Sequence, residues 1–163
     1  VVTISRVHPG LAKRLFELEV PEIADGTVII KNISREAGSR TKMAVYSRNE
    51  SVDPIGACIG NRGARIAAVV EELKGEKIDV IPYSDDVCEY VKASLSPATV
   101  QSVTLEGERQ ARVIVSPDQL SLAIGKMGQN ARLAVRLTGW KIDVKSESGA
   151  LKDLGEEEIL DQE

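Results

Sequence analysis

One histidine, one tryptophan, one phenylalanine and two cysteines are all that this 163-residue chain has of several side chains on which much protein chemistry rests. With His8 alone, no histidine dyad, catalytic triad or multi-histidine metal site is built within one chain. Cys58 and Cys88 lie in apolar or helical patterns without zinc-ligand spacing, which predicts buried, reduced thiols and a cytoplasmic setting. Neither a G-x-x-x-x-G-K-[ST] phosphate loop nor a G-x-G-x-x-G string occurs. Residues 66–70 form the longest apolar run and stop at Glu71, far short of the roughly 18 residues of a membrane span. The first residues have no signal-peptide pattern. These absences predict a protein that is not an enzyme, holds no cofactor or metal and does not enter a membrane.

The net charge of −4 hides a division along the chain. From residue 146 onward there are seven acids (Glu147, Asp153, Glu156, Glu157, Glu158, Asp161 and Glu163) against Lys152, a net of −6, so residues 1–145 carry +2. A slightly positive body with an acidic tail is compatible with a local basic groove. The composition of residues 147–163 predicts disorder.

An internal repeat organises the body. Ile59-Gly60-Asn61-Arg62-Gly63 returns 65 residues later as Ile124-Gly125-Lys126-Met127-Gly128. Lys77-Ile78-Asp79-Val80 returns 64 residues later as Lys141-Ile142-Asp143-Val144, and Gly75 answers Gly139 at the same interval. Two copies of one unit are present, the second a residue shorter between these landmarks.

Each copy begins with an amphipathic helix, over 9–20 and 86–95, with apolar residues at spacings of three and four. Two β-branched segments follow, 27–34 and 42–47 in the first copy, 100–106 and 111–115 in the second. Asp53-Pro54 and Ser116-Pro117 each open a short helix with a capping residue and proline at the first position. After the glycine loop a second helix runs over 64–74 and 129–138, with Gly75 and Gly139 placed to end it. The Lys-Ile-Asp-Val segment closes each unit as a strand, and the helical crossover makes it parallel to the strand before. The expected fold class is α+β, two tandem units of a mixed three-stranded sheet under three helices. Their expected limits are 8–83 and 84–146, after a remnant of another domain at 1–7.

Glycine makes a four-residue connection between helices tight because it reaches positive φ without a side-chain clash. With no β-carbon at Gly63 and Gly128, a sugar-phosphate backbone has access to the start of the second helix, where the dipole favours anions. Arg62 and Lys126 add charge within the loops, Arg65 one turn beyond the first and Arg132 further along the other helix. A single G-x-x-G is only a turn. Two of them, each behind an isoleucine, with a basic residue inside and a strand at matched distance, resemble the KH domain, whose loop clamps about four nucleotides of single-stranded RNA.

The element order resembles the type II, or bacterial, KH arrangement. Longer strings are similar to the paired KH domains of the NusA family of bacterial transcription factors. They include Leu15-Phe16-Glu17-Leu18-Glu19-Val20-Pro21-Glu22-Ile23, Gly75-Glu76-Lys77-Ile78-Asp79, Gln119-Leu120-Ser121-Leu122-Ala123-Ile124-Gly125-Lys126, Gly128-Gln129-Asn130-Ala131-Arg132-Leu133-Ala134 and Leu137-Thr138-Gly139-Trp140-Lys141-Ile142-Asp143. The resemblance implies binding of nascent single-stranded RNA during pausing, termination and antitermination. It also implies RNA polymerase and other transcription factors as partners of the full-length protein, and an S1-like domain before residue 8. Its RNA-binding residues would be Ile59, Gly60, Asn61, Arg62, Gly63 and Arg65 in the first copy. In the second they would be Ile124, Gly125, Lys126, Met127, Gly128, Gln129, Asn130 and Arg132. Met127 stands where the family often has a charged residue, which leaves Lys126 as the charge inside the second loop.

A helix-turn-helix DNA reader also joins two short helices by a tight turn. Against it, the second helix of copy one presents Ile66, Ala67, Ala68, Val69 and Val70 with Glu71 and Glu72, too apolar and acidic for a phosphate-lined groove. Five aromatic residues are too few for a base-stacking sheet surface. A protein-binding scaffold with the acidic tail as its ligand is the remaining alternative.

Overall fold

His8 sets where the described chain turns helical. In the computed structural model, which describes residues 8–147, its Nδ1 accepts a hydrogen bond from the Gly10 N–H at 2.9 Å, and Pro9 takes the first helical position. The expectations for residues 1–7 and for the acidic tail beyond Glu147 lie outside the described residues. Helix α1 (Pro9–Glu19) buries Ala12 and Phe16. It stops one residue before the expected end, because Pro21 has no N–H to donate. Pro21 instead opens a further single-turn helix, α2 (Pro21–Ala24), which the apolar periodicity did not announce.

Strands β1 (Val28–Glu36) and β2 (Arg40–Ser47) pair antiparallel with a bulge at Lys31, and β3 (Lys77–Pro82) lies parallel to β2. The β2 to β3 crossover runs through α3 (Pro54–Ile59) and α4 (Ala64–Glu72), so the sheet order is β1-β2-β3. One sheet face carries Val28, Met43 and Val45, with Ile78 and Val80 beside them. Ala12 and Phe16 of α1, Cys58 of α3 and Val69 of α4 complete that core.

The second unit, divided from the first between Asp85 and Asp86, repeats the plan. Helix α5 (Val87–Ser94) is capped by Asp86. Strands β4 (Ser102–Glu106) and β5 (Gln110–Val115) pair antiparallel, and β6 (Lys141–Ser146) lies parallel to β5. Between β5 and β6 run α6 (Leu120–Ile124) and α7 (Gln129–Thr138). The opening of α6 departs from expectation: a 3-10 turn at Pro117–Gln119 comes first, and Ser116 makes no capping side-chain bond, whereas Asp53 accepts from the Ile55 N–H at 3.1 Å. The extra residue of copy one lies at the end of α4. There Lys74 (φ 59°) and Gly75 (φ 90°) both take positive φ, while α7 ends on Gly139 alone (φ 75°).

Copy one closes the joint between α4 and β3 with a buried carboxylate. Glu76 accepts from Arg35 Nε at 3.0 Å and Nη2 at 3.0 Å, from the Thr41 hydroxyl at 2.6 Å and from the Gly38 N–H at 2.8 Å. Arg35 also donates to the His8 carbonyl at 2.8 Å, which ties α1 to the hairpin. Burial alone pushes the Glu76 carboxyl up, but the bonds from Arg35, Thr41 and Gly38, with the Arg35 charge, outweigh it and hold the group below its ordinary value. Register places Leu105, Ala111 and Trp140 in copy two where Arg35, Thr41 and Glu76 stand in copy one. The buried ion pair and its threonine partner in one unit are apolar residues in the other, Ala111 and Trp140 packed in its core and Leu105 43% exposed, the kind of exchange that a buried ion pair tolerates only when all partners change together.

The turns between α3 and α4 and between α6 and α7 share one backbone path. Gly60 (φ 78°, ψ 178°) and Gly125 (φ 80°, ψ 167°) take a conformation that essentially only glycine adopts. A β-carbon at Gly60 would lie 2.6 Å from Arg65 Cγ, and one at Gly125 2.7 Å from the backbone nitrogen of Asn130. Gly63 (φ 75°, ψ 16°) and Gly128 (φ 75°, ψ 12°) are left-handed but open. There a β-carbon meets nothing closer than Ile66 Cγ2 at 3.9 Å and Arg132 Nη1 at 4.0 Å respectively.

Two predictions follow from this geometry. Glu76→Gln leaves the Arg35 charge buried without its anion and lowers stability by about 3 kcal/mol at pH 7. Because the folded pKa of Glu76 lies below that of the unfolded chain, its stabilisation is full above the ordinary carboxylate pKa and is lost as pH falls through the depressed value. Urea unfolding should therefore show the gap between the two proteins closing in acid, and a gap that persists at low pH refutes this account. For the turns, alanine at Gly63 or Gly128 costs about 1–2 kcal/mol, the ordinary left-handed penalty. At Gly60 or Gly125 strain and overlap combine, and the cost is about 3–5 kcal/mol. Equal losses at the two kinds of glycine, measured by the same unfolding, contradict it.

Candidate nucleic-acid interface

Each loop pushes two side chains outward. Asn61 and Arg62 are exposed in the first, Lys126 and Met127 in the second, with Met127 87% accessible. Arg62 (φ 54°, ψ 29°) and Met127 (φ 56°, ψ 27°) lie in the left-handed region despite carrying side chains. Sequence reasoning assigned positive φ to the glycines alone. Strain of this kind collects at binding sites, where the surrounding structure holds it in place. Here it is held by short turns, with the Gly63 N–H donating to the Gly60 carbonyl at 3.2 Å and the Gly128 N–H to the Gly125 carbonyl at 3.0 Å.

Behind each loop a helix begins without a side-chain cap, since Gly63 and Gly128 occupy the capping positions of α4 and α7. The positive dipole end of each helix thus opens beside a bare glycine and an exposed Arg62 or Lys126. Ile59 is half-buried at the end of α3, and Ile124, its counterpart on α6, is 36% exposed. The arrangement offers a phosphate a cationic, β-carbon-free helix start, with apolar surface beside it.

Three residues expected to face RNA make hydrogen bonds within the protein. Arg65 directs Nη1 to Glu22 Oε2 at 2.7 Å and to the Ala57 carbonyl at 2.8 Å, so its charge is spent on a carboxylate of α2. Asn130 is buried, 1% exposed, and its amide donates to the carbonyls of Leu95 at 3.0 Å and Ala123 at 2.9 Å. Expected at the RNA surface, it is enclosed between α5 and α6 in this structure. Arg132 remains exposed but donates to the Met127 carbonyl at 3.0 Å, bracing the second loop. Gln129 is the first residue of α7 and half-buried. Glu22 was missed altogether; the one available signal was the Val20-Pro21 step, which permits a new helix to start at the proline.

Cys58 is held in its unreactive thiol form. Burial pushes the Cys58 thiol up to about 12, helped by the Glu22 and Asp53 carboxylates against Arg65, so it stays protonated. Cys88 is only half-buried, not enclosed as expected, with its thiol facing the Val103 carbonyl at 3.8 Å. Among the described residues there is no group of histidine, cysteine and carboxylate side chains able to hold a metal, and no helix long and apolar enough to cross a membrane.

This geometry has known counterparts. Residues 6–83 match the model of the NusA-like first KH domain, and residues 87–152 that of the NusA-like second KH domain. The chain is 59% identical over 155 residues to the transcription termination/antitermination protein NusA of Halalkalibacterium halodurans, covering 94% of this chain and 40% of that protein. To the NusA of Bacillus subtilis it is 56% identical, covering 94% and 42%, and to that of Thermus thermophilus 53%, covering 94% and 39%. It thus spans about two fifths of the length of these relatives. Among solved structures, the crystal structure of APE1850 superposes with a TM-score of 0.59 at 25% identity, over 84% of this chain and 97% of the other. With both domain models matched in order and the two loops built alike, the chain belongs to the NusA family as its tandem KH module.

Proposed function

We propose that the chain binds single-stranded RNA through both glycine loops, as the RNA-reading module of a factor that modulates transcription pausing, termination and antitermination. The observation that carries this reading is the pairing, in each copy, of an uncapped helix start with a left-handed loop that exposes Arg62 or Lys126. Backbone phosphates approach Gly63 and Gly128, where no β-carbon intervenes, and the helix dipole and the loop cation offset their charge. Asn61, Gly60 and Gln129 border the first and second phosphate paths, and Ile59 and Ile124 supply apolar surface for the bases. On this reading the first KH domain covers 8–83 and the second 84–146, flanked by the end of an S1-like domain at 1–7 and an acidic tail at 147–163. The nascent transcript, RNA polymerase and other transcription factors are the partners of the longer protein, in the cytoplasm, and no catalytic step is involved.

Replacing Asn61 and Arg62, or Lys126 and Met127, with two aspartates places carboxylates against phosphate while leaving the core untouched. Circular dichroism should be unchanged and RNA affinity lower by about tenfold or more. Affinity of the unaltered protein should fall with salt at a log–log slope near −0.7 per phosphate contact. Salt-independent binding, or equal affinity for duplex DNA, would instead leave the loops as structural turns.

A length series tests whether the two copies act together. Between β3 and α5 lie only residues 83–86, so once one loop holds RNA the other meets the same strand at high effective concentration. With about four nucleotides per loop, affinity should step upward near 9–12 nucleotides. Disabling either loop should remove most of the gain, as titration calorimetry would show. A shallow, smooth rise with two independent sites would mean separate binding.

A further inference from the structure

Arg65 and Asn130 occupy the same place in the two copies, each two residues beyond the second glycine of its loop. Each packs against the first glycine: a β-carbon at Gly60 would lie within 3.0 Å of Arg65 Cβ, Cγ and Cδ, and one at Gly125 2.8 Å from Asn130 Cβ. Each also reaches back to the helix before the loop, Arg65 to the Ala57 carbonyl in α3 and Asn130 to the Ala123 carbonyl in α6. A third connection completes the parallel. Asn130 holds the Leu95 carbonyl at the end of α5, and Arg65 holds Glu22 on α2, the turn that directly follows α1. One function, joining the loop to the end of the first helix and to the helix before it, is thus performed by two chemistries. In copy two it is a buried neutral amide; in copy one it is an ion pair whose side chains are 30% and 31% exposed.

Resting on the RNA-binding reading above, we infer that Glu22, acting through Arg65, is a positioning residue for the first loop, and that Arg65 serves RNA binding by holding that loop and not by touching phosphate. The guanidinium is already engaged by a carboxylate and a carbonyl, and its stem fills the space at Gly60 that keeps the loop in its glycine-only path. The counterpart that performs the same bonding in copy two carries no charge and no access to solvent. A phosphate ligand would keep charge and solvent access in both copies, whereas a latch needs only the shared connections.

The two roles for Arg65 predict opposite signs in one experiment. RNA affinity of the full chain is measured with the second loop disabled by Lys126→Asp and Met127→Asp, so that the signal reports on the first. Glu22→Gln removes the negative charge beside Arg65 and weakens its hold to at most a neutral hydrogen bond. If Arg65 positions the loop, affinity falls by about five- to tenfold, and amide exchange at Gly60–Gly63 quickens. If Arg65 contacts phosphate itself, affinity rises, and the inference is overturned, as it also is by no change. Arg65→Met, which keeps the stem but can hold neither the Ala57 carbonyl nor Glu22, should lose affinity as well. Should the starting protein bind no RNA, the RNA reading itself fails. The latch is then judged by amide exchange in Glu22→Gln, where unchanged protection of Gly60–Gly63 refutes it.

Discussion

Everything at the interface depends on one backbone constraint: the first residue after α3 and after α6 must take φ near 80° with an extended ψ, a region closed to any residue with a β-carbon. Gly60 and Gly125 satisfy it, and the constraint does more than turn the chain. By removing a side chain at that point it lets Arg65 and Asn130 pack directly on the turn, and by reversing direction so abruptly it leaves the start of the following helix facing outward. The left-handed strain at Arg62 and Met127 is the cost of the same reversal, borne by residues whose side chains are thereby held in solvent.

Around that shared constraint the two copies diverge in how they hold their parts together. Copy one relies on charge: Arg35 and Glu76 at the joint between α4 and β3, Glu22 and Arg65 at the loop, Arg40 and Lys42 on Asp79 at the sheet. Lys42 is fully buried, and burial pushes its ammonium below the ordinary range despite the attraction of Asp79. In copy two Ala111 and Trp140 pack at the joint and Asn130 forms the latch. Buried pairs contribute less net stability than their geometry suggests, because desolvation opposes the Coulomb gain, so both solutions are viable. They differ in what perturbs them: acid acts on the first, changes of volume on the second.

Much of this is legible in the amino-acid sequence. The repeat intervals of 65 and 64 residues disclosed two units, the Asp53-Pro54 cap located α3, and the Lys-Ile-Asp-Val strings marked the closing strands. The single-residue slip was visible too, though not its place at the end of α4, where Lys74 adopts positive φ without being glycine. Helix α2 escaped notice because four residues give no periodicity to read, and the exposed loop cations were found because charge beside glycine is a local pattern.

The sequence by itself determined the element order, the two copies and the position of both turns, since capping, hydrophobic period and the freedom of glycine act within a few residues of the chain. Tertiary structure alone decided where the polar side chains near those turns point. Arg65 looks like a loop cation until Glu22, 43 residues earlier, is brought beside it, and Asn130 looks like a surface amide until the Leu95 carbonyl, 35 residues earlier, claims it. Charge and polarity are properties of a residue, but the partner that spends them is selected by packing across the fold, and no local pattern carries that selection.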